Sequence, residues 1–225
     1  MPRIARIVAT GYPHHITQRG NYRHNIFTND AGREKYLSFI NQESKRYGLS
    51  IVAYCLMNNH VHFIGIPERE DSMGNVFKYV NMKYSQYFNK RVGAGGHLFQ
   101  GRFFSSVMDE RYMLACARYI ERNPVRARIV KKPWLYRWSS ACVHCGLEQN
   151  DILGVNRLFD FLDNRKNNWQ EYIEEEDEDD AIQELREQTR KGRPLATADF
   201  IKKLEHKLGR CLTLKQRGRP RKENK

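Results

Sequence analysis

The chain has 225 residues, 40% of them hydrophobic and 12% aromatic, which suits one domain of ordinary size with appendages and excludes global disorder. Its formal net charge of +13, with a pI of about 9.6, calls for a polyanionic partner, and nucleic acid is the usual one. No segment approaches the ~20 apolar residues of a membrane-spanning helix, and Met1-Pro2-Arg3-Ile4-Ala5-Arg6 opens no signal-peptide core, so the expectation is a cytoplasmic, nucleoid-associated protein with no membrane partner.

Residues 12–19 (Tyr12-Pro13-His14-His15-Ile16-Thr17-Gln18-Arg19) read as a strand and Gly20-Asn21 as a turn. Asp30 is placed to cap a helix whose apolar positions are Tyr36, Leu37, Ile40 and Tyr47, with Gly48 as its stop. Residues 51–57 are apolar enough for a central strand. Asn58-Asn59 suits a tight hairpin, because asparagine tolerates positive φ, and residues 60–66 return as the next strand. Met73, Val76, Phe77, Val80, Tyr84, Tyr87 and Phe88 repeat at helical spacing through residues 72–92, and Gly93-Ala94-Gly95-Gly96 breaks the pattern. Residues 103–108 are a short strand candidate. Asp109 then caps a helix expected to end near Asn123, before Pro124. The order strand, helix, strand, strand, helix, strand is the ferredoxin-like split βαβ plan. It predicts an α+β fold: an antiparallel sheet with helices on one face, plus the additional helix that follows residue 109.

Farther along, the charge changes sign twice. Residues 1–150 carry 22 Lys/Arg against 10 Asp/Glu, residues 151–188 carry 4 against 13, and residues 189–225 carry 13 against 3. The expected division is a domain over 1–146, an acidic helical or linker segment over 147–190, and a basic DNA-binding tail over 191–225. The run Glu174-Glu175-Glu176-Asp177-Glu178-Asp179-Asp180 belongs in solvent, or against a basic face when DNA is absent. In the tail, Phe200, Ile201, Leu204 and Leu208 make an amphipathic helix ended by Gly209. Arg217-Gly218-Arg219-Pro220 has the form of a hook that places Arg217 and Arg219 in a narrow minor groove, and Lys191-Gly192-Arg193-Pro194 is a weaker copy. Cys55, Cys116, Cys142, Cys145 and Cys211 are odd in number and irregular in spacing, which argues against a disulfide framework. Cys142-Val143-His144-Cys145 is half of a zinc pattern with no second pair to complete it.

Two segments carry chemistry. In Asn59-His60-Val61-His62-Phe63-Ile64, alternation across a strand sends Val61 and Phe63 to one face and His60 and His62 to the other. Two neutral imidazoles at i and i+2 begin a metal site, although a pair of surface histidines has the same pattern. In the helix after Asp109, Tyr112, Ala115, Cys116, Tyr119 and Ile120 form one stripe, which suits a plain core face as well as a functional one. Asn123, four residues beyond Tyr119, shares that face, and an amide oxygen can join a hard-cation site.

Together these segments resemble the single-tyrosine HUH transposases, and among them the REP-associated tyrosine transposases. The resemblance rests on Tyr12-Pro13-His14-His15-Ile16-Thr17-Gln18-Arg19-Gly20-Asn21, on Asn59-His60-Val61-His62, and on Leu98-Phe99-Gln100-Gly101-Arg102-Phe103. It is completed by Arg118-Tyr119-Ile120-Glu121-Arg122-Asn123-Pro124-Val125-Arg126-Ala127, about sixty residues after the histidines, and covers roughly residues 1–145. Where the family often has proline in Met-Pro-Asn-His, this chain has Asn58, which alters hairpin stiffness and removes no chemical group. The resemblance implies a transesterification in which Tyr119 attacks a DNA phosphorus, keeps the 5′-phosphate and releases a 3′-hydroxyl. It implies Mg²⁺ or Mn²⁺ held by His60 and His62, with Asn123 as third ligand. The metal has a clear task, because a phenol of pKa ~10 is ionised only about one part in a thousand at pH 7. It further implies single-stranded, hairpin-forming DNA as substrate and a monomer or homodimer as the working unit. Arg19, Asn21 and Arg102, which lie in the matching motifs, are the expected DNA contacts, alongside Arg217 and Arg219 of the tail. Two other readings compete: a domesticated DNA-binding regulator that no longer cleaves, and a metal phosphodiesterase in which water attacks.

Overall fold

The computed structural model describes residues 6–149, 152–161, 169–176 and 179–212. Strands β1 (His14–Arg19), β2 (Leu49–Met57), β3 (His60–Pro67) and β4 (Phe104–Val107) form one antiparallel sheet in the order β2-β3-β1-β4. Helices α1 (Asp30–Tyr47) and α2 (Ser72–Val92) make the two crossovers, so the ferredoxin-like plan read from the sequence is the fold. Strand alternation sends Ile16, Val61 and Phe63 to the α1/α2 face. There Phe63 meets Tyr36 at 6.4 Å and Phe77 at 5.7 Å between ring centroids, and the Tyr84 hydroxyl donates to the Ile26 carbonyl at 2.8 Å. The same alternation leaves His15, Thr17, Arg19, His60 and His62 on the other face. Register places Thr17 opposite His62 and Arg19 opposite His60.

Helix α3 (Glu110–Arg126) lies across that second face, over β2 and β3, and buries Met113, Cys116, Ala117 and Ile120 there. Asp109 caps it as expected, Oδ1 accepting from the Tyr112 N–H at 3.0 Å.

Three local expectations are corrected. Asn29, not Asp30, caps α1 by accepting from the Gly32 N–H at 3.0 Å; Asp30 sits in the first turn, where a negative charge suits the positive end of the helix. Helix α3 runs through Pro124 to Arg126. Proline removes only its own N–H, and the chain beyond closes on carbonyls that remain available, Ala127 N–H to Asn123 and Ile129 N–H to Pro124, both at 2.9 Å. Nor does the Asn58-Asn59 turn use positive φ, since Tyr22, Arg23 and Arg128 are the only non-glycine residues with it among the described residues. The turn is instead held from outside. The Asn58 carbonyl accepts from the N–H groups of Ile26 (2.8 Å) and Phe27 (3.1 Å), its side-chain oxygen accepts from Arg33 (2.5 Å), and the Asn59 carbonyl accepts from Gly20 (2.9 Å).

Behind α3 a second layer is built around one buried carboxylate. Glu121, buried beside β2, accepts from Ser140 Oγ (2.5 Å), His144 Nδ1 (2.5 Å) and Trp169 Nε1 (2.9 Å). These partners belong to α4 (Ala141–His144), the residue before it, and α5 (Trp169–Glu174). Arg122 adds hydrogen bonds to the carbonyls of Ile173 (2.7 Å) and Glu174 (2.9 Å). His144 of the half zinc pattern is thereby engaged by Glu121 and by the Val155 carbonyl.

Helix α6 (Asp179–Lys191), which begins at the end of the acidic run, packs on β4 and β1 at the rim of the second face. Leu195 then bridges to Met108, and the Thr197 N–H donates to Asp109 Oδ2 at 2.9 Å. Helix α7 (Ala198–Leu208) forms from the stripe expected of it, ends at Gly209 with φ 60°, and packs Leu204 against Ile7, Ala9 and Val107. Arg217 and Arg219 lie outside the described residues. Among the described residues no helix is long and apolar enough to cross a membrane.

Candidate functional site

The histidines of β3 are held in defined orientations. His60 Nδ1 donates to Asn59 Oδ1 at 2.7 Å. A carboxamide oxygen only accepts, so this imidazole carries its proton on Nδ1 and keeps a lone pair on Nε2. His62 Nδ1 and His15 Nε2 share a hydrogen bond of 2.9 Å, and His15 Nδ1 shares another, of 2.7 Å, with Thr189 Oγ1 of α6. The His15 and His62 rings are nearly parallel, 5.1 Å apart at 6°. Burial lowers the pKa of His60 to about 4, with Arg19 and Arg186 adding to the effect. Burial alone takes His15 to about 3. His62 is held well below the usual value by burial first, then by His60 and His15. All three are neutral at pH 7, the form that ligates cations.

Tyr119 comes down onto these rings from α3. It is 5% exposed, and its ring stands edge-on to His62 at 5.6 Å and to His15 at 6.0 Å. The Arg126 guanidinium lies 4.4 Å above the tyrosine ring, and Arg186 Nε donates to the tyrosine oxygen at 3.2 Å. Arg126 also donates to Asn123 Oδ1 at 3.0 Å. Tyr119, Asn123 and Arg126 follow one another along a single face of α3, as helical spacing requires.

Sheet, α3 and α6 enclose a cavity of about 1000 Å³. Five arginines line it: Arg19, Arg23, Arg126, Arg186 and Arg190, against the carboxylates of Glu184 and Glu187. The cavity wall also includes His15, His60, His62, Tyr119 and Asn123. Its donor set suits a divalent cation. Among the described residues the Nε2 atoms of two neutral imidazoles, His60 and His62, have no hydrogen-bond partner, and the Asn123 oxygen, the atom that would ligate a cation, is held by Arg126. Among the described residues no group of three His, Cys, Asp or Glu forms a metal cage. The remaining positions therefore fall to an amide, water or a phosphate oxygen.

Of the expected DNA contacts, Arg19 is exposed in the cavity wall. Asn21 lies in the turn Asn21–Arg23 with its N–H bonded to the Leu98 carbonyl at 2.8 Å, outside the cavity lining. Arg102 is also exposed outside it, near Arg6, whose guanidinium stacks 3.6 Å over the Phe103 ring. Sequence reasoning gave no role to His15, Arg126, Arg186 or Thr189. The first two had a readable signal: His15 shares a strand face with Thr17 and Arg19, and Arg126 lies two helical turns beyond Tyr119. For α6 there was none, since Arg186 stands 67 residues from Tyr119.

The sequence pattern of the family described as "Transposase IS200 like" matches residues 9–123, just over half of the chain, a span that holds His60, His62, Tyr119 and Asn123. A solved structure of a REP-associated tyrosine transposase bound to a REP hairpin is 21% identical, with 68% of this chain and 90% of that chain covered and a TM-score of 0.52. At that identity the likeness is one of fold. A crystal structure of a candidate transposase from Deinococcus radiodurans R1 gives 17% identity over 54% of this chain and 97% of that one, with a TM-score of 0.37. No curated protein matches by sequence.

Proposed function

The chain belongs to the IS200-like transposase family, and from that premise we propose that it cleaves and rejoins single-stranded DNA through a covalent tyrosine–DNA link. The observation that carries this reading is the position of Tyr119, edge-on to His62 at 5.6 Å in an arginine-lined cavity. Cations at the rim, Arg19, Arg23 and Arg190, hold the phosphates of an entering strand. The Tyr119 oxygen attacks phosphorus; the new O–P bond forms as the bond to the 3′-oxygen breaks. The phenol gives up its proton and the departing 3′-oxygen gains one. Arg186 at the tyrosine oxygen and Arg126 over the ring stabilise negative charge as it develops there. The ester energy is kept in the phosphotyrosine, so a 3′-hydroxyl can reverse the step without ATP. His60, His62 and Asn123 are the residues that would hold Mg²⁺ or Mn²⁺. Bound there, such an ion supplies Lewis acidity to the scissile phosphate.

The substrate proposed is a hairpin with a single-stranded flank; the REP-associated structure holds a REP hairpin. One chain brings phenol and imidazoles together, which supports a monomer as the working unit. The test is a labelled hairpin oligonucleotide incubated with protein and Mn²⁺ and run on a denaturing gel. A covalent protein–DNA species is expected, lost with EDTA and in Tyr119→Phe while that variant still binds the DNA. Nicking by Tyr119→Phe, or cleavage with no adduct, would hand the reaction to water. Binding by the intact protein with no cleavage would place the chain among DNA-binding regulators.

A further inference from the structure

Helix α6 lies beyond the segment that matches the family, yet it reaches the centre of the cavity twice. Arg186 donates to the Tyr119 oxygen, and Thr189 bonds His15, which bonds His62. Thr189, His15 and His62 are 2%, 1% and 5% exposed, so little of this chain of groups is open to competing water. A neutral imidazole has one N–H and one lone pair, and the 2.9 Å bond between His15 and His62 uses one of each. Two directions are open. Either His62 Nδ1–H donates to His15, which then donates from Nδ1 to Thr189, or every bond runs the other way and His62 turns an N–H toward the cavity.

We propose that Thr189 is a positioning residue which, through His15, holds His62 as the Nδ1–H tautomer, so that α6 completes the cation site. The direction follows from the neighbour. Asn59 already fixes His60 as Nδ1–H with its Nε2 lone pair open, and a cation shared by both rings needs the matching lone pair on His62. The reverse direction would set an N–H beside the cation position and leave that N–H without a hydrogen-bond partner. In that direction the Thr189 hydroxyl, which can donate as well as accept, takes through His15 the accepting role that Asn59 takes toward His60 directly. The cation site and the direction chosen for the tautomer rest on the function proposed above; the hydrogen bonds that link Thr189, His15 and His62 do not.

The test uses the full chain labelled with ¹⁵N-histidine. Two-bond ¹H–¹⁵N correlation spectra of the metal-free protein report which nitrogen of each ring carries hydrogen. Nδ1–H is expected for both His60 and His62. Thr189→Val removes the hydroxyl at nearly constant shape, and is expected to mix the His62 tautomers and to weaken Mn²⁺ binding, read as free Mn²⁺ by electron paramagnetic resonance, by about 10- to 100-fold. Thr189→Ser keeps the hydroxyl and is expected to restore both, which a purely structural role for the helix would not require. An Nε2–H tautomer at His62 in the unaltered protein overturns the inference. So does a Thr189→Val protein with the original tautomer and affinity, or a Thr189→Ser protein as impaired as Thr189→Val. An unaltered protein that shows the Nδ1–H tautomer yet binds no Mn²⁺ would sink the metal reading and leave the relay standing.

Discussion

Replacing Glu121 with glutamine is expected to destabilise the protein by about 2–4 kcal/mol. The figure follows from three donors that converge on one carboxylate. Oε1 accepts from Ser140 Oγ and His144 Nδ1, and Oε2 accepts from Trp169 Nε1. All four residues are essentially buried. A glutamine keeps one oxygen. With that oxygen toward Ser140 and His144, its amide N–H group faces the indole N–H, donor against donor. With the amide turned over, two donors lose their acceptor. A buried donor left unmet costs about 1–3 kcal/mol, and losing the charge weakens the bonds that remain. Glu121→Ala removes every acceptor and should cost about 3–5 kcal/mol. The assay is urea unfolding at pH 7 by far-UV circular dichroism, comparing midpoints at unchanged slope. A double-mutant cycle with Trp169→Phe should give a coupling of about 1 kcal/mol or more. A Glu121→Gln loss within the ±0.5 kcal/mol range typical of surface substitutions, about the smallest effect worth interpreting, would refute the view that this carboxylate clamps the tyrosine helix.

Three further outcomes follow. Arg186→Ala should slow the single-turnover formation of the covalent species by about 10²-fold at saturating DNA, the usual scale for losing one donor to developing negative charge; an unchanged rate would leave Arg186 without that role. Burial holds the His14 pKa at about 4, against ~6.5 for an unperturbed histidine, with its Nδ1–H donated to the Tyr12 carbonyl and its Nε2 accepting from the Ala9 N–H. Above pH ~6.5 neither folded nor unfolded chain takes the proton; below it the unfolded chain takes it first, so stability falls as pH drops toward 4, by about 2 kcal/mol at pH 5. His14→Gln, which can both donate and accept, should reduce the difference in urea midpoint between pH 7 and pH 5, and an unchanged difference would contradict the assignment. Truncation after Leu212 removes six Lys/Arg and one Glu. It should weaken binding to single-stranded DNA and flatten its salt dependence, whereas an unchanged salt slope would deny residues 213–225 a part in binding.

The sheet and its open face were legible because their signals are local. Period-two alternation alone puts His60 and His62 on one side of β3, and the helical stripe alone puts Tyr119, Asn123 and Arg126 on one side of α3. What the sequence hid depends on tertiary approach. Asp30 was the stronger residue for a cap by charge, but the chain enters α1 one residue earlier, so Asn29 meets the free N–H groups. Pro124 reads as a stop, yet the carbonyls of Asn123 and Pro124 still find donors beyond it. Asn58-Asn59 reads as a left-handed turn, yet contacts with the 20–27 segment and Arg33 hold it without one. Thr189 and Arg186 carry no motif at all. Their part depends on where α6 docks, which is set by Leu195 pairing beside β4 and by Asp109 binding the Thr197 N–H.

The same contacts bear on whether two chains exchange their tyrosine helices. Exchange of α3 alone, with α4 to α6 left on the original sheet, would withdraw Glu121 from Ser140, His144 and Trp169, along with Arg122 from the carbonyls of α5. Uncovering a buried charge from its partners costs about 3–5 kcal/mol before any new contact forms. Such an exchange would also take Tyr119 from Arg186, which approaches from α6 of the same chain. Two inactive variants can decide the matter. Tyr119→Phe lacks the nucleophile and His62→Ala lacks an imidazole. In a helix-exchanged dimer, mixing them would regenerate one intact composite site, so roughly half of the mixed dimers' sites, on the order of a quarter of the normal adduct, would return by random pairing under the binomial arithmetic of a two-fold dimer. Here no adduct should return on mixing, and the adduct-forming rate of the unaltered protein at saturating DNA should not depend on protein concentration. Recovery of adduct after co-refolding the two variants would show that the tyrosine acts on the neighbouring chain's histidines, and that the Glu121 clamp yields to exchange.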